Sequence, residues 1–323
     1  MESNNATPYK KIETALKLLN NRIIGQDGLI SRLMIALLCG GHLLVEGAPG
    51  LAKTRAIKEL ADLVEGDFHR IQFTPDLLPG DVTGTDIFRP EDGTFRFQHG
   101  PVFHNLILAD EINRAPAKVQ SALLEAMGEN QVSIGRETFK LPELFLVMAT
   151  QNPIEQEGTH ALPEAQLDRF LIHVQVDYPE RASEAKILQL VRKEQAEPQP
   201  PAAPEIAIEQ STIFQIRREI LDLHMAEPVE RYIIELILES RKKDGAAGKW
   251  LEYGASPRGT IALDQCARAL AWLQNRDFVT PDDVQLATHD ALRHRLILNY
   301  EAYAEGISTN RVIDQILESV PAP

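Results

Sequence analysis

The sequence is poor in cysteine, in basic side chains and in long apolar runs, and each shortage excludes a class of protein. Only two cysteines occur in 323 residues, Cys39 and Cys266, at a spacing that suits neither a metal site nor a redox pair. They read as core thiols, and no disulfide framework is implied. Lys and Arg number 33 against 47 Asp and Glu, a net charge of −14. General affinity for nucleic-acid backbones or anionic membranes needs clustered Lys and Arg to replace counterions, so the balance speaks against both while leaving room for a local basic groove. The most apolar segment, 29–45, is interrupted by Arg32, Gly40, Gly41 and His42. It falls short of the ~20 clean residues that a membrane helix requires. The polar stretch Met1 to Lys11 lacks the apolar run of a signal peptide, so a cytoplasmic protein is expected.

What the chain does have is an ordinary globular composition, 44% hydrophobic and 25% charged, over a length that suits about two domains. Punctuation is densest at Pro198, Pro200, Pro201 and Pro204, a run that can neither continue a helix nor donate to a sheet ladder. This marks the expected boundary, with one domain over 1–197 and a second over 205–323. Before it, apolar runs at 43–46, 70–73, 106–109, 145–149 and 171–176 alternate with helical patterns. Unbroken apolarity in Leu106-Ile107-Leu108-Ala109 and from Leu144 to Ala149 suits strands buried on both faces, hence a parallel sheet of five strands with helices on each side. After the boundary the pattern predicts helices only, with start signals at Pro228, Ser256-Pro257 and Thr280-Pro281. Thr280 can cap, Pro281 fits the first helical position, and Asp282 and Asp283 oppose the positive end of the helix dipole. Two segments break the α/β alternation. Aromatic and β-branched flanks around Asp92-Gly93 and the stretch from Gln131 to Lys140, turning near Gly135-Arg136, read as hairpins, either surface decorations or functional elements.

The residues from Leu43 to Thr54 run from a strand through a glycine-containing loop into a helix, the context that a phosphate-binding loop needs. In Gly47-Ala48-Pro49-Gly50-Leu51-Ala52-Lys53-Thr54 the glycines let backbone N–H groups turn inward around phosphate oxygens. The following helix adds its positive end, Lys53 a charge for the β and γ phosphates, and Thr54 a hydroxyl for Mg²⁺. The strict pattern has Gly where this chain has Ala52. An alanine there loses backbone freedom but is small enough not to block the loop. A second motif, Leu106-Ile107-Leu108-Ala109-Asp110-Glu111, is a buried strand ending in adjacent carboxylates. Asp110 suits the Mg²⁺ water shell and Glu111 suits polarising a water that attacks the γ-phosphate. The next apolar strand ends in Thr150-Gln151-Asn152-Pro153, where Asn152 is either a turn residue or a contact to the phosphate or the water. Arg169, in Asp168-Arg169-Phe170, and Arg258, in Ser256-Pro257-Arg258-Gly259, are each either surface charges or phosphate contacts.

Together with Ile112-Asn113-Arg114-Ala115 and the run from Leu162 to Phe170, these motifs closely resemble the MoxR family of AAA+ ATPases over nearly the whole chain. The alanine before the P-loop lysine looks like the family's usual form. The resemblance implies an AAA+ αβα core with a five-stranded parallel sheet, an all-α lid, ATP and Mg²⁺ as cofactors, and ATP hydrolysis in a ring, expected to be a hexamer. It makes Asn152 the sensor-1 residue, Arg258 the sensor-2 arginine and Arg169 an arginine finger reaching the next subunit's γ-phosphate. Arg114 is placed near a subunit junction. Asn21-Arg22-Ile23-Ile24-Gly25-Gln26 resembles the segment lining the adenine pocket, with Ile24 against the base and Gly25 admitting backbone polar groups to its edge. The two hairpins correspond to the helix-2 insert and the pre-sensor-1 hairpin, which face the ring axis.

MoxR proteins are regarded as chaperone-like ATPases that work with proteins bearing von Willebrand factor A domains, in complex maturation or metal-cofactor insertion. A similar client is therefore expected. One alternative is a magnesium-chelatase-like subunit. Another is a nucleic-acid motor, which is disfavoured because the hairpin tips, Glu91-Asp92 and Arg136-Glu137, present neither a lysine cluster nor a stacking platform. A third is a slow nucleotide-gated module, disfavoured by the presence of both Glu111 and Arg169.

Overall fold

The computed structural model describes residues 7–91, 93–135, 137–153, 158–196 and 207–323. In chain order the elements are α1 (Pro8–Arg22), α2 (Asp27–Cys39), β1 (Leu43–Gly47), α3 (Lys53–Ala61), β2 (Phe68–Gln72), α4 (Pro79–Thr83), β3 (Gly84–Arg89), β4 (Thr94–His99), β5 (Leu106–Asp110), α5 (Ala117–Glu129), β6 (Gln131–Ile134), β7 (Glu137–Lys140) and β8 (Leu146–Gln151). They continue with α6 (Glu164–Leu167), β9 (Ile172–Val176), α7 (Arg181–Ala196), α8 (Gln210–Asp222), α9 (Glu227–Glu239), β10 (Leu251–Tyr253), α10 (Pro257–Leu273), α11 (Pro281–Leu292), β11 (Ile297–Leu298), α12 (Tyr300–Ala304) and α13 (Thr309–Ser319). The chain divides into two compact units. One comprises Met1–Leu162 and Val174–Ile213, the other Pro163–His173 and Phe214–Pro323. The proline run expected to separate two domains lies outside the described residues.

All five apolar runs are strands of one sheet, in the order β2-β5-β8-β1-β9. The β2–β5, β5–β8 and β8–β1 pairs are parallel. Leu106, Ile107, Leu108 and Ala109 have no exposed surface, as expected of a strand covered on both faces. Each such Leu or Ile contributes about 1.5–3 kcal/mol of burial, which is why unbroken apolarity rather than alternation marks these strands. The register pairs Gln72 with Asp110, Ala109 with Ala149 and Glu46 with Gln151. The carboxyl ends of β2, β5, β8 and β1 therefore finish level, and the loops leaving them share one edge.

The two hairpins form as expected, β3 with β4 and β6 with β7. At their turns Gly93 (φ +70°) and Gly135 (φ +61°) adopt the left-handed conformation open to glycine. Asp92 and Arg136, also expected in the turns, lie outside the described residues. The hairpins touch through Phe97 and Phe139, whose rings stack 4.1 Å apart.

In the second unit, α10 packs on α9 and α11. Ser256 caps α10 by accepting from the Arg258 N–H, and Pro228 and Pro257 sit in the first turns of their helices. At α11 the acidic start does more than oppose a dipole. Asp283 is buried, accepts from the N–H and the hydroxyl of Thr280, and pairs with both Nη atoms of Arg276. The expectation of helices only is corrected at one place, where β10 and β11 form a short antiparallel ribbon. The runs are two and three residues long, too short for periodicity to reveal. Cys39 is half-buried in the first unit and Cys266 buried in the second. No described helix is long and apolar enough to cross a membrane.

Candidate functional site

The loop after β1 turns on residues in unusual backbone conformations. Gly50 has φ +84° and a Cβ there would meet open space, and Ala52 has φ +57°. Ala52 is the position where the strict pattern has glycine. The chain accepts a left-handed alanine there, at a cost of roughly 1–2 kcal/mol. Gly47 is required for a different reason, since a Cβ on it would stand 2.6 Å from the carbonyl oxygen of Val176. Only glycine lets the end of β1 come so close to β9.

α3 then begins at Lys53, so the N–H groups of its first turn have no helical acceptors and face the loop. A cavity of about 400 Å³ lies there, bordered by Pro49, Gly50, Leu51, Ala52, Lys53, Thr54 and Arg55 on one side and by Asp110, Glu111, Thr150, Gln151 and Asn152 on the other. The Lys53 ammonium donates to the carbonyls of Gly47 (2.5 Å) and Gln151 (3.4 Å). Burial pulls its pKa down from the ordinary value, and Asp110, Glu111 and Glu46 oppose that shift. Asn152 is buried at the far end of β8. The structure thus brings together every residue from Pro49 to Thr54 with Asp110, Glu111 and Asn152.

The two carboxylates are separately held. Asp110 accepts from the Thr150 hydroxyl (2.7 Å) on one oxygen and from Arg70 (2.7 and 3.1 Å) on the other. Glu111 sits just past the strand at φ +57°, ψ +49°, a left-handed conformation uncommon outside glycine and concentrated at functional sites. Its N–H donates to the Thr150 hydroxyl oxygen (2.9 Å), while its carboxylate accepts from Gln72 (2.8 Å) and Arg114 (3.2 Å). Thr150 therefore links both acids. Nothing in the local sequence assigns a role to Arg70, Gln72 or Thr150. Alternation around buried Ile71 marks Arg70 and Gln72 as sharing one face of β2, but only the register with β5 shows which acids they meet.

Gly47, Ala48 and Leu51 also border a second cavity of about 360 Å³, with Glu46, Pro153 and residues 175–178. Gly25 (φ +79°) packs on the stretch just beyond, where a Cβ would meet Ser183 at 2.9 Å and Pro179 at 3.0 Å. Gln26 donates to the Asp177 carbonyl (3.3 Å). The Ile24-Gly25 segment thus lies against the chain that follows β9, and Ile24 itself is half-buried.

Arg169 and Arg258 belong to the second unit, where Asp168, the residue before Arg169 in the chain, lies against Arg258. Asp168 accepts from the Ser256 hydroxyl (2.9 Å) and from Arg295 (2.8 Å), and lies 3.7 Å from Arg258. Arg169 is half-buried and Arg258 exposed.

The donor set in the first unit fits a magnesium triphosphate. Glycine and alanine at left-handed φ, a helix N-terminus and a half-buried ammonium suit phosphate oxygens. The Thr54 hydroxyl and the remaining lone pairs of Asp110 suit a hydrated hard cation.

Comparison with known proteins agrees with this chemistry. Residues 42–172 match the family model of the ATPases associated with various cellular activities, and residues 246–316 match that of the AAA lid domain. The chain is 44% identical over 322 residues to the protein named Chaperone MoxR1 of Mycobacterium tuberculosis, covering 98% of this chain and 84% of that one. It is 32% identical to Protein MoxR of Paracoccus denitrificans, covering 100% and 99%. Its structure is similar to that of a proposed ATPase from Cytophaga hutchinsonii, with a TM-score of 0.88, 45% identity and coverage of 98% and 96%.

Proposed function

The chain belongs to the MoxR family of AAA+ ATPases, and from that premise we propose that it hydrolyses ATP to ADP and phosphate in order to remodel or mature partner protein complexes. The observation that carries the reading is the convergence of Lys53, Thr54, Asp110, Glu111 and Asn152 on one cavity beside a helix N-terminus. Residues 1–197 are the nucleotide-binding core and 205–323 the lid. Gly47 to Thr54 bind the phosphates, and Ile24 and Gly25 line the adenine pocket. Thr54, through its hydroxyl, and Asp110 would hold Mg²⁺, which when bound would neutralise charge on the phosphate oxygens.

Glu111 polarises the attacking water. The water oxygen bonds to the γ-phosphorus as Glu111 takes its proton, the bond from that phosphorus to the bridging oxygen breaks, and ADP and phosphate leave. Asn152 orients the water or the γ-phosphate. Arg258 is the sensor-2 arginine, and Arg169 is the finger that completes the site of the next subunit in a cytoplasmic ring, a hexamer. The client is a protein complex, with a von Willebrand factor A-domain protein as the partner and metal-cofactor insertion as one outcome. These last assignments draw on the family rather than on a contact in this chain.

The test is Glu111→Gln. The variant is expected to bind a fluorescent ATP analogue as the parent protein does while losing turnover by about 10²–10⁴-fold, the usual share of a positioned base. Turnover at the parent rate would remove Glu111 from the role.

A further inference from the structure

Three consecutive residues just past α11 grip the segment that carries Arg169. Arg293 donates to the His173 carbonyl, and His294 Nε2 lies 3.0 Å from the Phe170 carbonyl oxygen. Arg295 does more, and its side chain is only 3% exposed. Nε donates to Asp168 Oδ1 (2.8 Å), Nη2 to the carbonyls of Phe170 (2.7 Å) and Asp168 (3.3 Å), and Nη1 to those of Leu171 (3.0 Å) and Ala291. A guanidinium has five N–H donors in a rigid fork, and here each meets an acceptor. Three of those acceptors are backbone oxygens of residues 168, 170 and 171, on both sides of Arg169.

Burying a guanidinium costs several kcal/mol of solvation, and a well-packed apolar side chain can hold two elements together at least as well. What an apolar side chain cannot do is fix the direction of three carbonyls at once. Asp168 extends the grip, because its second oxygen accepts from Ser256, the cap of α10, and faces Arg258.

We propose that Arg295 is a positioning residue for ATP hydrolysis: its fork sets the backbone on either side of Arg169. This rests on the reading of Arg169 as the finger.

The test is Arg295→Lys, which keeps the charge opposite Asp168 and removes the fork. Its ATP affinity is expected to match the parent's while kcat falls about tenfold to a hundredfold, the size of effect that a 1 Å misplacement produces. Two readouts separate positioning from general damage. The double variant Arg169→Ala/Arg295→Lys should be no slower than Arg169→Ala alone, because a finger already removed cannot be misplaced. Mixing Arg295→Lys subunits with Lys53→Ala subunits should restore turnover, since an intact phosphate loop then meets an intact finger. Mixing them with Arg169→Ala subunits should not.

Parent-like kcat in Arg295→Lys alongside a slow Arg169→Ala overturns the positioning claim alone, as does an additive loss in the double variant or equal recovery in both mixtures. Parent-like turnover in Arg169→Ala removes the finger reading and this claim with it. Arg295→Met, which fills the space without any donor, is expected to show the same kcat loss at parent affinity and decides the matter if Arg295→Lys fails to fold.

Discussion

Thr150 shows how much one hydroxyl can organise. It donates to Asp110 and accepts from the Glu111 N–H, so it holds the two acids in a single relation. Thr150→Val removes both bonds at nearly constant volume. With a charge-assisted bond worth about 1.5–3 kcal/mol, turnover should fall at least tenfold, and the thermal midpoint should drop by a few degrees because the part-buried Glu111 N–H loses its acceptor. Thr150→Ser should recover most of it, and a Val variant as fast as the parent would show that the acids need no such link. His294 makes a different kind of statement. Burial pushes its imidazole well below the ordinary value, Arg295, His173 and Arg293 push the same way, and only the Phe170 carbonyl opposes them. Below pH ~6.5 the unfolded chain takes up a proton that folded His294 refuses, so the unfolded state binds more protons and stability declines as the pH falls. Above that value the contribution is flat. Thermal midpoints measured from pH 8 to 5 should therefore drop toward acid. His294→Gln, whose amide can still donate to Phe170, should show a shallower drop, and equal slopes would refute the assignment.

Among the elements, β5 and the first part of β8 were readable because burial on both faces leaves a plain mark, an unbroken apolar run, whereas β2 alternates polar residues around buried Ile71. The hairpins were readable from turn glycines and β-branched flanks, but their contact with each other was not. Phe97 and Phe139 lie on different hairpins and stack on their faces, a pairing worth about 0.5–1.5 kcal/mol beyond its area. Phe139→Ala should therefore raise amide hydrogen exchange in both hairpins by roughly twofold to tenfold and leave the central sheet protected. A rise confined to β6 and β7 would mean that the hairpins behave independently.

On the scale of the whole molecule, the residues expected to serve hydrolysis fall in two compact units. The phosphate loop and the two acids are in one, and both arginines beyond the loop are in the other. If Arg169 completes a neighbour's site, activity belongs to the assembly rather than to the chain. Arg169→Ala should keep nucleotide affinity and lose hydrolysis, and mixing it with Lys53→Ala subunits should restore part of the rate by pairing intact halves. Absence of recovery at every mixing ratio would count against a shared site. The net charge of −14 gains meaning here. Lys53, Arg70 and Arg114 are gathered beside Asp110 and Glu111, so some of the scarce positive charge sits where the functional carboxylates are.

The amino-acid sequence by itself determined the parallel core, the phosphate loop, the adjacent acids and the helical second part, because each is written in contiguous residues whose period and order carry the information. It also marked Ala52 as an exception without showing that the position is left-handed. Only the tertiary structure decided what holds those groups. Arg70 and Asp110 are 40 residues apart, and Arg295 and Asp168 are 127 apart. Such partners are chosen by strand register and helix packing, which no local pattern records. For the same reason residues 163–173 group with the compact unit that holds α9 to α13, since the carbonyls around Arg169 are satisfied by a guanidinium from beyond α11.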